Sequence, residues 1–393
     1  MDRRTFCRMA ATGGSISLTA GLAGCVFGGT LSGDLGEITG DWPMTGRDLG
    51  HTRSVEAAPR NPETVWIADL DDGVRAASTP ALADGQLYVP ADAVSDLSHY
   101  RHRLYGLTAA TGELRWQIPL RADPNEPPAV SGNRIVISAQ RDVEKGRVVA
   151  FDDRYGEEAW LYDIDARLTA PPTVSAPLVY IPDWKGRVHA LDVSDGSIRW
   201  TQRIMRGDSG RSFATPVALQ DDTLYLGLQS GATGVVALAA DTGEERWSKS
   251  TAAVIDGPVV RDDLVVVRTH KLVVAFDTEG TRQWSYNVLD ADSHAMAMND
   301  QHVYVPSRQR LYAIDRSGGK AWHYHLQQGQ VGTPTVAGDT VFLRRNDHLT
   351  ALSRTDGTEQ WTISQDGGGR AVVTPEAVFL ARKGGEVAGL GAE

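Results

Sequence analysis

Cysteine, lysine and long apolar runs are all scarce in this 393-residue chain. Cys7 and Cys25 are the only cysteines, so the chain beyond residue 25 contains no thiol from which to build a disulfide. Beyond the first thirty residues no stretch keeps the i, i+3, i+4 apolar spacing of a helix. With Gly, Pro and β-branched residues plentiful, the sequence predicts an all-β protein.

Negative charge outnumbers positive charge. The formal net charge is -11, and residues 1 to 24 contribute three arginines against one aspartate, which leaves -13 on the rest. This charge repels nucleic acid and anionic lipid, so no nucleic-acid partner is expected. Lysine occurs at only six positions. The acid-rich, lysine-poor balance is typical of salt-adapted secreted proteins and suggests a halophilic archaeon, although GC-rich coding also produces an arginine bias.

The N-terminus resembles an export signal. "MDRRTFCRM" places Arg3 and Arg4 before Phe6, and a short apolar run then leads to "LAGC", which ends at Cys25. The first pattern resembles a twin-arginine signal and the second a lipobox, whose cysteine is lipidated after cleavage. We expect residues 1–24 to be a signal peptide and Cys25 to anchor the chain on the outer side of the cell membrane. The alternative is an uncleaved anchor with an incidental cysteine.

Residues 25–59 follow as the lipidated cysteine and a spacer rich in Gly, Pro, Thr and Asp. They contain no alternating apolar run, so we expect a flexible tether. "DWPMTGRDLGHTRS", residues 41 to 54, stands out within it, and the resemblance described below implies that part of the tether packs on the folded domain.

A Gly-x-x-x-Trp unit recurs through the remainder. Its tryptophans follow one another at intervals of 37 to 50 residues, and all but the first have glycine four positions earlier. The tryptophans are Trp66, Trp116, Trp160, Trp200, Trp247, Trp284, Trp322 and Trp361, and the glycines are Gly112, Gly156, Gly196, Gly243, Gly280, Gly318 and Gly357. Three short apolar strands precede most units, so one period contains four strands.

Periods of about forty residues with four strands each are typical of β-propeller blades. We expect residues 60–393 to form an eight-bladed propeller with four-stranded antiparallel blades, labelled A to D. Each glycine lies in the C-to-D turn, and each tryptophan begins strand D and docks on a neighbouring blade. Trp66 lacks preceding strands and the C-terminal segment lacks a tryptophan, so the two ends together complete one blade and close the ring.

The docking unit, the "ALD"-type strand before it and the eight-fold count resemble the PQQ-like propeller repeat proteins. These include BamB-like assembly lipoproteins and quinoprotein alcohol dehydrogenases, and residues 41 to 54 resemble the segment that opens many quinoprotein-type propellers. The resemblance implies a non-catalytic protein-binding scaffold in envelope or protein assembly. The alternative it implies is a dehydrogenase using PQQ with calcium, or another small-ligand enzyme in the channel. Because the vicinal cysteine pair and a matching calcium motif are missing, we expect no cofactor, metal or catalytic residue.

Three local motifs have simpler explanations. "GDSG" at 207–210 copies a protease tetrapeptide without a triad context, and "DGGGR" at 366–370 lacks the Lys-Ser/Thr of a phosphate loop. His323 and His325 share one face of a strand and are suitable for a metal, but an exposed outer strand explains them better because no third ligand is evident.

The longest insertions fall in the B-to-C and D-to-A connections, which emerge on one face of a propeller. The B-strand tips there include Asp92, Gln140, Trp184, Gln229, His270, Arg308, Asn346 and Lys383, joined by Arg268, Lys271, Arg310, Arg344, Arg345 and Arg382. From this set we expect Trp184, His270, Arg308, Arg344, Arg345, Arg382 and Lys383 to bind a protein partner or an anionic ligand. The alternative is that these cations pair with nearby aspartates. The closed ring needs no second copy to fold, so we expect a monomer.

Overall fold

The computed structural model describes residues 31–70, 74–93, 102–125, 127–204, 213, 215–229, 234–288, 294–327, 329–345, 347–365, 367 and 370–392. These residues form β-strands arranged in eight sheets. Leu31–Glu393 is one compact unit. The predicted all-β, eight-bladed propeller is confirmed.

Each sheet is one blade, and its strands run A, B, C, D from the axis outward. Blade 1 contains Val74–Ala77 and Ala81–Ala83 (both A), Gln86–Ala93, His102–Thr108 and Leu114–Leu120; blade 2 contains Asp123–Pro124 and Ala129–Ser131 (both A), Arg134–Gln140, Gly146–Asp152 and Glu158–Ile164. Blade 3 contains Thr173–Ser175, Leu178–Pro182, Arg187–Asp192 and Ile198–Arg203; blade 4 contains Ala218–Gln220, Thr223–Leu228, Gly234–Ala239 and Glu245–Ser250. Blade 5 contains Val254–Arg261, Leu264–Thr269, Leu272–Phe276 and Arg282–Asn287; blade 6 contains Ala297–Met298, His302–Pro306, Arg310–Asp315 and Lys320–His325. Blade 7 contains Pro334–Ala337, Thr340–Arg344, His348–Ser353 and Glu359–Ser364; blade 8 contains Val372–Val373, Ala377–Ala381, Glu386–Gly391 and Glu63–Asp69.

Burial separates the middle strands from the outer ones. Thr223–Leu228 in strand B of blade 4 is buried at every position, whereas Ile198–Arg203 in strand D of blade 3 alternates between exposed and half-buried. The B and C strands are covered by neighbouring blades on both faces, and their continuous Val, Ile, Leu and Tyr runs suit that position. The core therefore lies between the blades.

The two ends of the chain meet in blade 8. Glu63–Asp69 pairs antiparallel with Glu386–Gly391 and supplies strand D. Trp66 in that strand is completely buried, and its indole Nε1 donates to the carbonyl of Ala109 in blade 1 at 3.1 Å. The predicted closure is confirmed, and it removes the free sheet edge that an open array would expose.

The tryptophans join each blade to the next. The indole of one blade lies under the C-to-D glycine of the following blade, in the pairs Trp66–Gly112, Trp116–Gly156, Trp160–Gly196, Trp200–Gly243, Trp247–Gly280, Trp284–Gly318 and Trp322–Gly357. All seven glycines have positive φ, and a Cβ added to any of them lies 2.4–2.8 Å from an indole atom. Both the positive φ and the lack of room for a Cβ therefore require glycine at these positions.

Trp361 differs because blade 8 has no C-to-D turn of its own. Strand D of blade 8 comes from the N-terminal part of the chain, so no glycine stands where the other blades have one. Trp361 instead lines a cleft together with Arg60 and Asn61, which lead into that strand. The segment that leads into the closing strand therefore lies at the seam between blades 7 and 8.

Residues 31–59 differ from the flexible tether expected of them. Trp42, Met44 and Val55 are buried, and Ser54–Val55 forms a parallel strand against strand A of blade 7. The composition of this segment is that of a loop, but its backbone finds partners on the ring. The described part of the expected tether, residues 31–59, packs on the ring, while Arg3, Arg4, Phe6 and Cys25 lie outside the described residues.

Candidate functional site

Residues 42–55, here called the axial segment, run around the inside of the ring from blade 1 to blade 7. Trp42 exchanges two backbone hydrogen bonds with Leu82 of blade 1, at 2.8 and 2.9 Å. Further backbone bonds run from Val130 to Pro43, Leu219 to Leu49, Val260 to Gly50, Met298 to Thr52, and Val336 to Arg53, at 2.7–2.9 Å. The A strands are the inner edges of the blades, and their N–H groups need acceptors when water is excluded. The axial segment supplies those acceptors.

His51 fixes the middle of the axial segment. Its Nδ1 lies 2.6 Å from the carbonyl of Thr45, and its Nε2 lies 2.7 Å from the carbonyl of Val217 in blade 4. Burial lowers the pKa of His51, the two carbonyls oppose that shift, and the charge of Arg53 adds to it. His51 thus crosslinks the segment to the ring in a place where charging it is unfavourable.

An axial cavity of about 350 Å³ lies on the D-to-A side of this segment. Thr45, His51 and Arg53 line it from the axial segment, and residues just before or within the A strands, such as Thr215, line its wall. The axial segment bonds near the A-to-B ends of the A strands. It therefore separates this cavity from the opposite face of the propeller.

Two arginines line the axial cavity. Arg53 is 3% exposed and its Nη1 donates to the carbonyls of Met296 at 2.9 Å and His51 at 3.2 Å. Arg370, from the connection into blade 8, donates from Nη1 to the hydroxyl of Thr45 at 3.0 Å. Burial first, and the charge of Arg370 second, lower the pKa of Arg53 to about 9. The two guanidinium groups are thus close enough to interact in a poorly hydrated place.

The described lining does not fit a quinone held by calcium. Calcium takes six to eight oxygen ligands and usually several carboxylates. Among the described lining residues Asp256 is the one carboxylate, and its Oδ2 accepts from the amide of Met296 at 2.6 Å. Within the described part of the chain no three His, Cys, Asp or Glu side chains are grouped as a metal site. Sequence reasoning missed Arg53, Arg370 and Thr215; the "GRDLGHTR" motif was the available signal for the first.

The face with the B-to-C turns carries an exposed, rigid tryptophan. Trp184 in blade 3 is 39% exposed, its Nε1 donates to Thr169 Oγ1 at 2.7 Å, and the Arg167 guanidinium lies 4.8 Å from its ring centroid. Val143, at the B-to-C turn of neighbouring blade 2, is 81% exposed. Two adjacent turns thus present apolar tips on the face where sequence predicted a binding surface.

Asp183 holds the Trp184 turn in shape. Its Oδ1 accepts from the amides of Lys185 and Arg187 at 2.8 and 2.9 Å, and its Oδ2 accepts from Arg187 Nε at 2.6 Å and lies 3.0 Å from His189 Nε2. Burial raises the pKa of Asp183, but these hydrogen bonds outweigh burial, so the net pKa lies below its ordinary value. The carboxylate therefore stays ionised and organises the turn.

The predicted cationic arc is only partly at the surface. His270, Arg308 and Lys383 are exposed, whereas Arg345 and Arg382 are half-buried, the latter 3.0 Å from Glu386. Arg268 and Arg344 are buried, so their expected place on the exposed rim is wrong. Arg344 reaches across to the next blade, donating to the carbonyls of Gln365 at 2.8 Å and Ala381 at 3.3 Å. Its length lets it join two blades from within.

The remaining motifs are placed as follows. His323 and His325 are exposed on strand D of blade 6, and the His323 ring stacks on Tyr312 with centroids 6.3 Å apart. "GDSG" at 207–210 lies outside the described residues, as do 366, 368 and 369 of "DGGGR". No helix long and apolar enough to cross a membrane occurs in the part of the chain that the structure describes.

Fold and repeat define the class as an eight-bladed propeller built from PQQ-like repeats. The family model described as outer membrane protein assembly factor BamB matches residues 52–271, 185–295 and 270–393. The chain belongs to this family.

Individual relatives are distant. The BamB of Moranella endobia is 22% identical to this chain over 240 residues. The matched region is 57% of this chain and 60% of the relative, so this chain covers less than two thirds of that relative. The crystal structure of BamB from Moraxella catarrhalis has a TM-score of 0.66 at 20% identity, covering 84% of this chain and 99% of that one. Quinohemoprotein alcohol dehydrogenase from Comamonas testosteroni has a TM-score of 0.72 at 15% identity, covering 89% of this chain and 80% of that one. Similarity at this level to an assembly factor and to an enzyme alike establishes the fold, and the function has to be argued from the site.

Proposed function

We propose that this chain is a lipid-anchored propeller outside the cytoplasm that binds a protein partner and catalyses no reaction. The observation that carries the proposal is the exposed Trp184, held by Thr169 and Arg167, together with the exposed Val143 on the B-to-C turn of the neighbouring blade. Family membership supports the scaffold role, since the matching model is described as an assembly factor. The proposal does not depend on an outer membrane, because the binding surface belongs to the propeller itself.

Trp184 has the properties of an interface anchor. Its indole is fixed by Thr169 and Arg167 before any partner arrives, so binding costs little side-chain entropy. Tryptophan and arginine are enriched among the residues that contribute most to binding, and an apolar neighbour such as Val143 enlarges the contact. The exposed cations His270, Arg308 and Lys383 lie on the same face and are suited to steering an acidic partner.

The anchor and export route remain sequence-based parts of the proposal. Cys25 would be lipidated, and Arg3, Arg4 and Phe6 would direct export by the twin-arginine route. Cys25 lies six positions before Leu31, the first residue that the structure describes, so a lipid on Cys25 would hold the propeller close to the membrane surface. Replacing Cys25 with Ser should move the protein from the membrane fraction to the soluble fraction.

The test of the partner surface compares two exposed aromatic residues. The full-length protein and its Trp184→Ala and Tyr155→Ala variants are cross-linked in cells of the source organism and the captured proteins compared. Tyr155 is 70% exposed and lies in a C-to-D turn on the opposite face, so it is the matched control. We expect Trp184→Ala to lose a partner that Tyr155→Ala keeps, and equal capture by both variants would contradict the proposal.

A further inference from the structure

Seven of the docking tryptophans make the same hydrogen bond to the following blade. Their indole Nε1 donates to a backbone carbonyl two or three positions before the C-to-D glycine, at 2.7–3.1 Å. The acceptors are the carbonyls of Ala109, Asp153, Val193, Ala240, Thr278, Arg316 and Arg354. The ring thus contains seven examples of what an indole at this position binds, which is a turn carbonyl together with a glycine packed on the indole.

Trp361 lacks this partner. Within the part of the chain that the structure describes, no group accepts a hydrogen bond from Trp361 Nε1, and this atom is not among the unpaired polar atoms that are buried from solvent. Phe342 packs edge-on against the Trp361 ring, with centroids 5.8 Å apart, and holds the indole from its own blade. The indole N–H is therefore accessible, held in place and able to donate to a ligand.

An open cleft of about 520 Å³, here called the Trp361 cleft, lies between this indole and the residues that lead into strand D of blade 8. Phe342 lines it as a buried apolar residue, and Arg60, Asn61 and Gln360 line it as exposed polar residues. The volume falls within the range of about 300–1,000 Å³ that is usual for ligand sites. The mixed lining suits the tip of a turn, because its backbone groups need polar partners.

We propose that the Trp361 cleft binds a glycine-containing β-turn of a partner protein, whose carbonyl accepts from Trp361 Nε1 and whose glycine packs on the indole. The seven equivalent acceptors inside the ring are backbone carbonyls, which favours a peptide ligand over a saccharide. In those contacts a Cβ on the glycine would lie 2.4–2.8 Å from an indole atom. A residue with a side chain is therefore excluded from the glycine position.

The Trp361 cleft lies on the opposite face of the propeller from Trp184. Gly338, in the A-to-B turn of blade 7, lines the cleft, whereas Trp184 lies at a B-to-C turn. A turn in the cleft is thus a second contact, beyond the proposed function, and the two proposals can fail independently.

The test is nitrogen-15 NMR of the indole N–H groups of the full-length protein in detergent, titrated with the peptide acetyl-Ala-Asp-Thr-Gly-Glu-amide. This peptide copies residues 240–244, which include the carbonyl and the glycine that contact Trp200. The chain has ten tryptophans, and Trp361→Phe identifies the Trp361 signal by its loss. We expect this signal to shift saturably at millimolar peptide. The same peptide with alanine in place of glycine should bind about tenfold more weakly or worse.

Three results would overturn the proposal. The first is an unshifted Trp361 signal with the glycine peptide, and the second is equal binding of the two peptides. The third is a shift with maltose and none with either peptide, which would assign the cleft to a saccharide.

Two matched variants locate the bound peptide. Gln360→Phe places a large side chain in the Trp361 cleft and should weaken binding of the glycine peptide several-fold. Gln283→Phe makes the same change one residue before Trp284, whose indole is paired inside the ring, and should leave binding unchanged. Both glutamines are exposed, so the ring should stay folded in both variants, which thermal unfolding checks. Equal binding by the two variants would contradict the assignment, because the peptide would then be held elsewhere.

Discussion

Adding one methyl group at Gly112 tests the docking of one blade on the next. In Gly112→Ala the new Cβ lies 2.6 Å from Cε3 of Trp66, well inside van der Waals contact. The backbone φ of +72° adds strain for any residue with a side chain. Trp66 is completely buried and hydrogen-bonded to Ala109, so it has nowhere to move.

The magnitude follows from these two effects. The left-handed conformation costs alanine roughly 1–2 kcal/mol, and an extra methyl in a packed contact costs about 1–3 kcal/mol. The expected loss is therefore about 2–5 kcal/mol out of a typical total of about 5–15 kcal/mol. Urea denaturation followed by tryptophan fluorescence and by circular dichroism measures the loss and shows whether the ring unfolds as one unit.

Gly132→Ala is the matched control. Gly132 lies between strands A and B of blade 2 with φ of +54°, and a Cβ there meets nothing within 4 Å. It should lose only the backbone part, roughly 1–2 kcal/mol. If Gly112→Ala costs no more than Gly132→Ala, the indole contact does not hold the blades together and the explanation of the repeat is refuted.

Three further changes test other parts of the structure. Arg344→Gln should lower the free energy of unfolding by about 3 kcal/mol, because the buried side chain loses charge-assisted hydrogen bonds to two blades. The exposed control Arg308→Gln should change the free energy of unfolding by less than about 0.5 kcal/mol. Equal urea midpoints for the two variants would refute the buried role of Arg344. Burial lowers the pKa of His51 in the folded state below its ordinary 6.5. The stability that the neutral ring contributes is therefore present above about pH 6.5 and is lost as the pH falls toward the lower pKa of the folded state. Wild-type stability should drop more steeply than that of His51→Gln between about pH 7 and pH 5, and a flatter wild-type curve would contradict the direction of the shift. Asp183→Asn should lower the free energy of unfolding, measured in urea, by about 1.5–3 kcal/mol. It should also reduce partner capture as Trp184→Ala does. Lost stability with retained capture would show that the Asp183 turn does not shape the partner-binding surface.

Most of the fold could be predicted from the repeat. The Gly-x-x-x-Trp spacing indicated eight blades and the closure by Glu63–Asp69, because both follow from local turn chemistry repeated at a fixed period. The spacing did not predict which blade supplies the tryptophan that each glycine contacts. The structure pairs Trp66 with Gly112, one blade further on, since docking acts between blades rather than within one.

The axial segment could not be predicted from the sequence because no local sequence pattern defines it. Residues 42–55 have the composition of a spacer, and they are ordered by carbonyls that meet A-strand amides from most of the ring. The residues in these contacts are 40 to 283 positions apart in the chain, so they leave no periodic signal. Arg344 was misplaced for a related reason: its position at a strand tip suggested exposure, whereas its length carries the charge into the seam with the next blade.

Residues 42–55 lie on the inside of the ring, and the described lining of the axial cavity is unsuited to a calcium-bound quinone. On this we base the proposal that the propeller binds a partner and is not a dehydrogenase. The most direct measurement is a calorimetric titration of the full-length protein with PQQ in the presence of calcium, followed by dye-linked alcohol oxidation. We expect no calcium-dependent binding and no turnover. Tight calcium-dependent binding with alcohol oxidation would contradict this expectation and assign the axial cavity to quinone chemistry.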